Sequence, residues 1–178
     1  AGQALNPAAL GYAGCPSPCS GDIFEFSDVA NCVICLAEVS VETMIGNSLG
    51  SPPGAFTKAQ KNEAKCRGAI GKNQVKHLST ILKERVKCQG SAEKGGATDT
   101  ASCVNADPKG KIQSTLAKGQ AGLQKSCGPA DVSAVYSCAS NVSDLKACVL
   151  DDSADRGGEL FGQFFELEGG TTALGIPC

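Results

Sequence analysis

The 178-residue chain carries 11 Cys and 22 Gly but no Trp, two Tyr and six Phe, so a core of large side chains is excluded and cross-links are the expected substitute. Its formal net charge of −2 hides a segregation: 14 of the 16 Lys and Arg lie between Lys58 and Lys125, giving that stretch +9 against −5 before it and −6 after it. No aromatic residue falls in that basic stretch to stack on bases, which argues against nucleic acid and for a solvated helix face or a patch for acidic partners.

Residues 1–21 are uncharged and rich in Gly, Ala and Pro. A flexible tail normally draws on charge, so this segment reads as an arm lying on a surface, either its own domain or a neighbouring subunit. Leu5, Leu10 and Tyr12 are its candidate contacts, joined by Ile176 in the uncharged ending GGTTALGIPC. The expected organisation is an arm over 1–26, a disulfide-linked helical domain over 27–168 and a second arm over 169–178.

From Ser27 the apolar residues fall at three and four residue steps, which predicts a helix with Val29, Cys32, Val33, Leu36, Ser40 and Met44 inward. It should end between Gly46 and Gly50, before SPPG. Thr57 with Gln60 forms a capping box for a long helix placed at 58–88, whose inward face includes Cys66, Ile70, His77, Leu78, Ile81 and Cys88. Gly68 and Gly71 would let another backbone come close. Residues 89–102 read as a polar loop, and Asp107 before Pro108 as the start of a second long helix with Ile112, Leu116, Gly119, Leu123 and Cys127 inward. Two short helices, 131–138 and 142–150, an acidic turn DDSADRGG and a last aromatic helix with Phe161, Phe164 and Phe165 complete the series. A strand is the alternative for FFELE.

Helix length restricts the cysteine pairing. At about 1.5 Å per residue the stretches Cys66 to Cys88 and Cys103 to Cys127 span roughly 33 and 36 Å, so an antiparallel hairpin brings Cys88 beside Cys103 and Cys66 beside Cys127. Cys15 and Cys19 of CPSPC should pin the arm to Cys32 and Cys35 in an order the sequence leaves open, with a zinc knuckle as the alternative use of these four. Cys138 and Cys148 would bridge the two short helices, leaving Cys178 unpaired or intermolecular.

Signatures of chemistry are sparse. The one histidine, His77, sits on an inward face, and CVIC lacks the following His that haem attachment needs. The acidic run from Asp151 fails as a calcium loop, with Arg156 where Gly is required and Gly162 where Glu is required. No acid, base and nucleophile set assembles, so an enzyme is not expected, nor is a cofactor or bound metal. Asn141-Val142-Ser143 is a glycosylation sequon.

So many cysteines along a chain imply an oxidising compartment and an exported protein, secreted, extracellular or at the cell surface, or periplasmic. The start AGQALNP has no basic and apolar leader, as a mature chain would after signal removal. No run of 18 apolar residues occurs, so no membrane span is expected.

The hairpin segments KCRGAIGKN, ILKERVKCQ, CVNADPKGKIQ and LQKSCG, continued through Cys138 and Cys148, resemble the cysteine-framed helical modules of uncharacterised exported proteins from delta-proteobacteria and their relatives. The resemblance covers about half the chain and implies export and a helical disulfide scaffold. Together these readings predict an all-α, disulfide-stapled bundle of about five helices around a long antiparallel hairpin, with irregular arms at both ends. The expected role is a structural subunit of an extracellular assembly that associates with copies of itself, in a fibre or filament. The alternative is a secreted binding module for a small apolar ligand or an acidic polymer.

Overall fold

The computed structural model describes residues 6–8, 12, 14–49, 56–96, 101–136 and 139–165. Within them the chain is all-α apart from one two-stranded antiparallel ribbon, β1 (Gly14–Cys15) with β2 (Gly21–Asp22), paired Gly14 to Asp22 and Cys15 to Gly21. Four α-helices follow: α1 (Phe26–Leu49), α2 (Lys61–Lys94), α3 (Lys111–Cys127) and α4 (Val142–Phe165). Helix α2 is the axis, packed against α3 and α4, while α1 lies mainly on α4.

One core fills the space between α2, α3 and α4 with Ile70, Leu123, Val132, Tyr136, Leu145 and Val149 around the buried Cys66 and Cys127. The base of the hairpin is tied by polar contacts as well: Asn62 Nδ2 donates to the Pro129 carbonyl (3.3 Å) and Glu63 Oε1 accepts from the Asp131 N–H (3.2 Å). A second core joins the ribbon and α1 to the rest, with Ile23, Cys32, Leu36 and Met44 meeting Leu78 of α2 and Leu160 of α4.

Several boundaries differ from the sequence reading. Helix α2 follows a 3-10 turn at Lys58–Gln60, whose Gln60 Oε1 accepts from the Thr57 N–H (3.1 Å), and runs past Cys88 to Lys94. It stops where Gly95 bonds back to Ser91 and Ala92 and Gly96 takes φ 84°. The predicted loop therefore begins later than 89, because Ser91, Ala92, Glu93 and Lys94 tolerate helix well and Gly90 alone does not break it. Helix α3 starts at Lys111 rather than at Pro108. Asp107 still caps it from across a Pro-Lys-Gly turn, accepting from the Gln113 N–H (3.0 Å), and Gly110 at φ 60° makes that turn possible. The second leg of the hairpin is thus helical only over its later part, and Cys103 reaches Cys88 from a 3-10 turn, Ala101–Cys103.

In place of the helix expected over 131–138, residues Val132–Ala134 form a 3-10 turn capped by Asp131, and 137 and 138 lie outside the described residues. The expected acidic turn at 151–158 is no turn at all: it is the middle of α4, so the predicted helix at 142–150 and the last aromatic one are a single helix, and four α-helices stand among the described residues. A Cβ on Gly157 would stand 2.8 Å from Ile81 Cγ2, so this glycine exists for the close approach of α4 to α2. The reverse holds for Gly68 and Gly71, where nothing among the described residues lies within 4 Å of an added Cβ. Close approach of α3 occurs instead at Gly119 and Gly122, against Leu150 and Asn73.

Candidate interaction faces

Disulfides define how the N-terminal segment is held. Cys15 joins Cys32 and Cys19 joins Cys35, which fixes the order left open by the sequence and uses all four sulfurs in covalent pairs. Cys66 joins Cys127 and Cys88 joins Cys103. Cys148 is also disulfide-bonded, while Cys138 and Cys178 lie outside the described residues. This density of cross-links requires an oxidising, non-cytoplasmic environment.

The first turn of α1 holds Asp28, whose Oδ2 accepts from the N–H groups of Phe24 (3.0 Å) and Glu25 (2.9 Å). Those two backbone donors hold its carboxyl below the usual range. One side of α1 is buried through Cys32, Leu36 and Met44. A second side, which shares the same helical periodicity, faces solvent: Phe26, Val33, Ile34 and Ile45 are exposed, and Phe24 just before the helix is 76 % exposed. Val33, expected inward, belongs to this outer stripe. Ala30, Ala37 and Val41 continue the stripe, and Glu38 and Glu42 flank it; no Lys or Arg occurs in the helix. Phe26–Gly46 is long and apolar enough to cross a membrane by length and composition, although Cys32 and Cys35 anchor it to the ribbon and Leu36 and Met44 pack inside the fold.

Helix α2 presents the opposite chemistry. Lys61, Lys65, Lys72, Lys76, Lys83 and Lys87 all fall on its exposed side, with the exposed Val75 and Val86 among them. Spacing of three, four, seven and eleven residues puts them on one stripe. Lys87 pairs with Glu84 of its own helix (3.4 Å), whereas the other five have no carboxylate within bridging distance among the described residues. Apart from Glu84 at Lys87, none of the described acids lies within bridging distance of this stripe.

Between α2 and α3 lies an open cleft of about 240 Å³ lined by Thr80, Lys83, Glu84, Lys111, Ser114, Thr115 and Lys118. Glu84 is nearly buried and bridges Lys111 (3.3 Å) and Lys87 (3.4 Å). Burial would raise its pKa, but its two lysine partners prevail and hold it below the usual range. Lys83 and Lys118 remain to give the cleft a positive character.

His77 sits at the α2–α4 contact, 2 % exposed. The Ser153 hydroxyl donates to the Leu150 carbonyl (2.8 Å), so its oxygen accepts from His77 Nδ1–H (2.8 Å). His77 Nε2 has no hydrogen-bond partner among the described residues. Burial pushes its pKa down against smaller opposing effects of the Leu150 carbonyl and Asp151. Ser153 is itself wholly buried, so the pair is a packed bridge between helices.

Of the proposed arm contacts, Tyr12 is half-buried against the ribbon and α1 core of its own chain, with its N–H bonded to the Pro7 carbonyl (2.9 Å). Leu5, Leu10 and Ile176 lie outside the described residues. The sequon residue Asn141 is the N-cap of α4, accepting from the N–H groups of Ser143 (2.9 Å) and Asp144 (3.0 Å). Phe161 is buried in the fold. The outer face of α1 escaped the sequence reading, although its periodic apolar positions carried the signal, whereas the exposed lysines of α2 form the solvated helix face that the sequence offered. No family model, curated protein or solved structure matches this chain.

Proposed function

We propose that the chain is a structural subunit of an extracellular, self-associating assembly, a fibre or filament. The observation that carries this reading is the outer side of α1: Ile34 is 54 % and Ile45 48 % exposed on a helix that two disulfides lock in place. A contiguous apolar face on a rigid element loses hydrophobic stabilisation for as long as it stays wet, and such faces mark interaction surfaces. Locking the helix removes the option of folding the face inward. Sedimentation velocity of the oxidised full chain over a hundredfold concentration range, with electron microscopy of the concentrated sample, tests the reading. Concentration-dependent growth of regular polymers is expected, and a monomer throughout would overturn it.

A second reading, a secreted module that binds an acidic polymer, is favoured by the unpaired lysines of α2 and the cleft at Lys83 and Lys118. It requires binding to polyglutamate that weakens steeply with salt while the chain stays monomeric.

A further inference from the structure

We infer that the outer face of α1 in one molecule docks antiparallel on the lysine stripe of α2 in the next, building an open head-to-tail chain. The inference rests on the self-association reading and names the surfaces for it. Two different faces of one molecule meet, so the contact is heterologous and each added copy leaves one of each face free; unless the rotation closes a ring, the product is a filament.

The two faces match in pitch. On α1 the exposed Ile34 and Ile45 are eleven residues apart, and on α2 the exposed Val75 and Val86 are also eleven apart. Eleven residues are about three turns and a rise of about 16 Å, returning to nearly the same side of the helix. Ile34 against Val86 and Ile45 against Val75 therefore makes two apolar contacts in one antiparallel register.

Charge decides the direction. Glu38 and Glu42 are rotated about 40° and 80° from Ile34, and Lys76 and Lys83 about 100° and 80° from Val75, all in the same rotational sense at about 100° per residue. Facing helices that run parallel put flanks of the same sense on opposite sides; antiparallel helices put them side by side. In the register above, Glu38 then lies beside the turn that holds Lys83, and Glu42 beside the turn that holds Lys76. Other pairings lack this complementarity. Two α1 faces would bring Asp28, Glu38 and Glu42 together without a cation, and two α2 faces would oppose lysine to lysine. A lipid surface is a poorer occupant too, because interfacial helices carry Lys and Arg beside the apolar face and α1 has neither.

Charge reversal with mixing tests the interface. Glu38→Lys with Glu42→Lys gives one variant of the full chain, and Lys76→Glu with Lys83→Glu gives the other; all four side chains are exposed. Each variant alone should raise the concentration needed for assembly by about tenfold or more, since like charges now meet. An equimolar mixture should assemble again as an alternating polymer, because each variant restores opposite charge against the other. Ile34→Ser and Val86→Ser, which leave the charges untouched, should each weaken assembly and serve should a charge variant fail to fold. Wild type that assembles while all these variants assemble equally well alone would overturn this interface and leave the self-association reading standing. Wild type that stays monomeric would overturn both. Binding of the monomer to phosphatidylcholine vesicles, abolished by Ile34→Ser without any change in assembly, would make α1 a lipid face and also overturn the inference.

Discussion

Around Leu123, Leu145 and Val149 the helices α2, α3 and α4 bury their facing sides completely, and the Cys66–Cys127 bond lies inside that apolar packing. Helix α1 is held differently: two bonds to a short ribbon grip its first half, and its opposite side stays wet from Phe26 to Ile45. At the hairpin, burial and cross-link act on the same residues. At α1 the cross-links stand in for burial and so free one face of the helix. A helix whose stability does not depend on covering its whole apolar surface can offer the remainder to another molecule.

Removing bonds from each region separates the two designs most strongly. The Cys66–Cys127 bond closes a separation of 61 residues, and chain entropy gives it about 4 kcal/mol. Replacing both cysteines with Ala should lower global stability by about that amount, read as the midpoint of urea unfolding. The Cys15–Cys32 bond closes 17 residues and is worth about 3 kcal/mol on the same basis. Its loss should act locally, raising hydrogen exchange in β1, β2 and the first turns of α1 while α3 keeps its protection. Equal exchange increases in α1 and α3 would mean that the two regions unfold as one unit and would erase the contrast.

Much of the hairpin was legible in the sequence because cysteine spacing and helix pitch are both local quantities. Cys66 meets Cys127 and Cys88 meets Cys103 as the hairpin predicts, although the second leg is α-helical only from Lys111 and the two legs are not equal helices. The run DDSADRGG misled because adjacent glycines and clustered acids have the composition of a turn. What makes it helix is Gly157 seated on Ile81, a contact with a residue 76 positions earlier that no local pattern announces. Val33 misled for a related reason: α1 has two apolar sides at helical period, and periodicity does not say which one the fold covers. The arm contacts at Leu5, Leu10 and Ile176 fall outside the described residues, while Tyr12 packs against its own chain.

Two glycines within helices, one packed and one exposed, give a finer test with opposite signs. Gly157→Ala would force a methyl into Ile81 and should destabilise by about 1–3 kcal/mol, as overpacking does. Gly68→Ala adds a methyl in open space on exposed α2 and should stabilise by about 0.5–1 kcal/mol through helix propensity. Thermal melts of the two variants should move in opposite directions. A fall in both would place an unseen partner against Gly68 and return it to the role that the sequence assigned.

The smallest effect lies in pH. His77 is buried between α2 and α4, and a proton on its Nε2 would create a charged donor with no acceptor among the described residues. Its unfolded value is 6.5 and burial lowers the folded one, so the unfolded state binds the proton first as pH falls. The stabilisation is therefore complete above 6.5 and is lost progressively as pH drops toward the folded value. The capping carboxylates of Asp28 and Asp107 also have lowered values, but from an unfolded value of 3.8, so their contribution fades only in a more acidic window. Urea midpoints measured from pH 7.5 to 5.5 should decline in wild type and flatten in His77→Gln, which keeps a donor for Ser153 and does not titrate. An unchanged slope in the variant would assign the pH response to groups other than the α2–α4 bridge. Retention of α1 protection across the same pH range would show that the two disulfides hold that helix independently of the bridge.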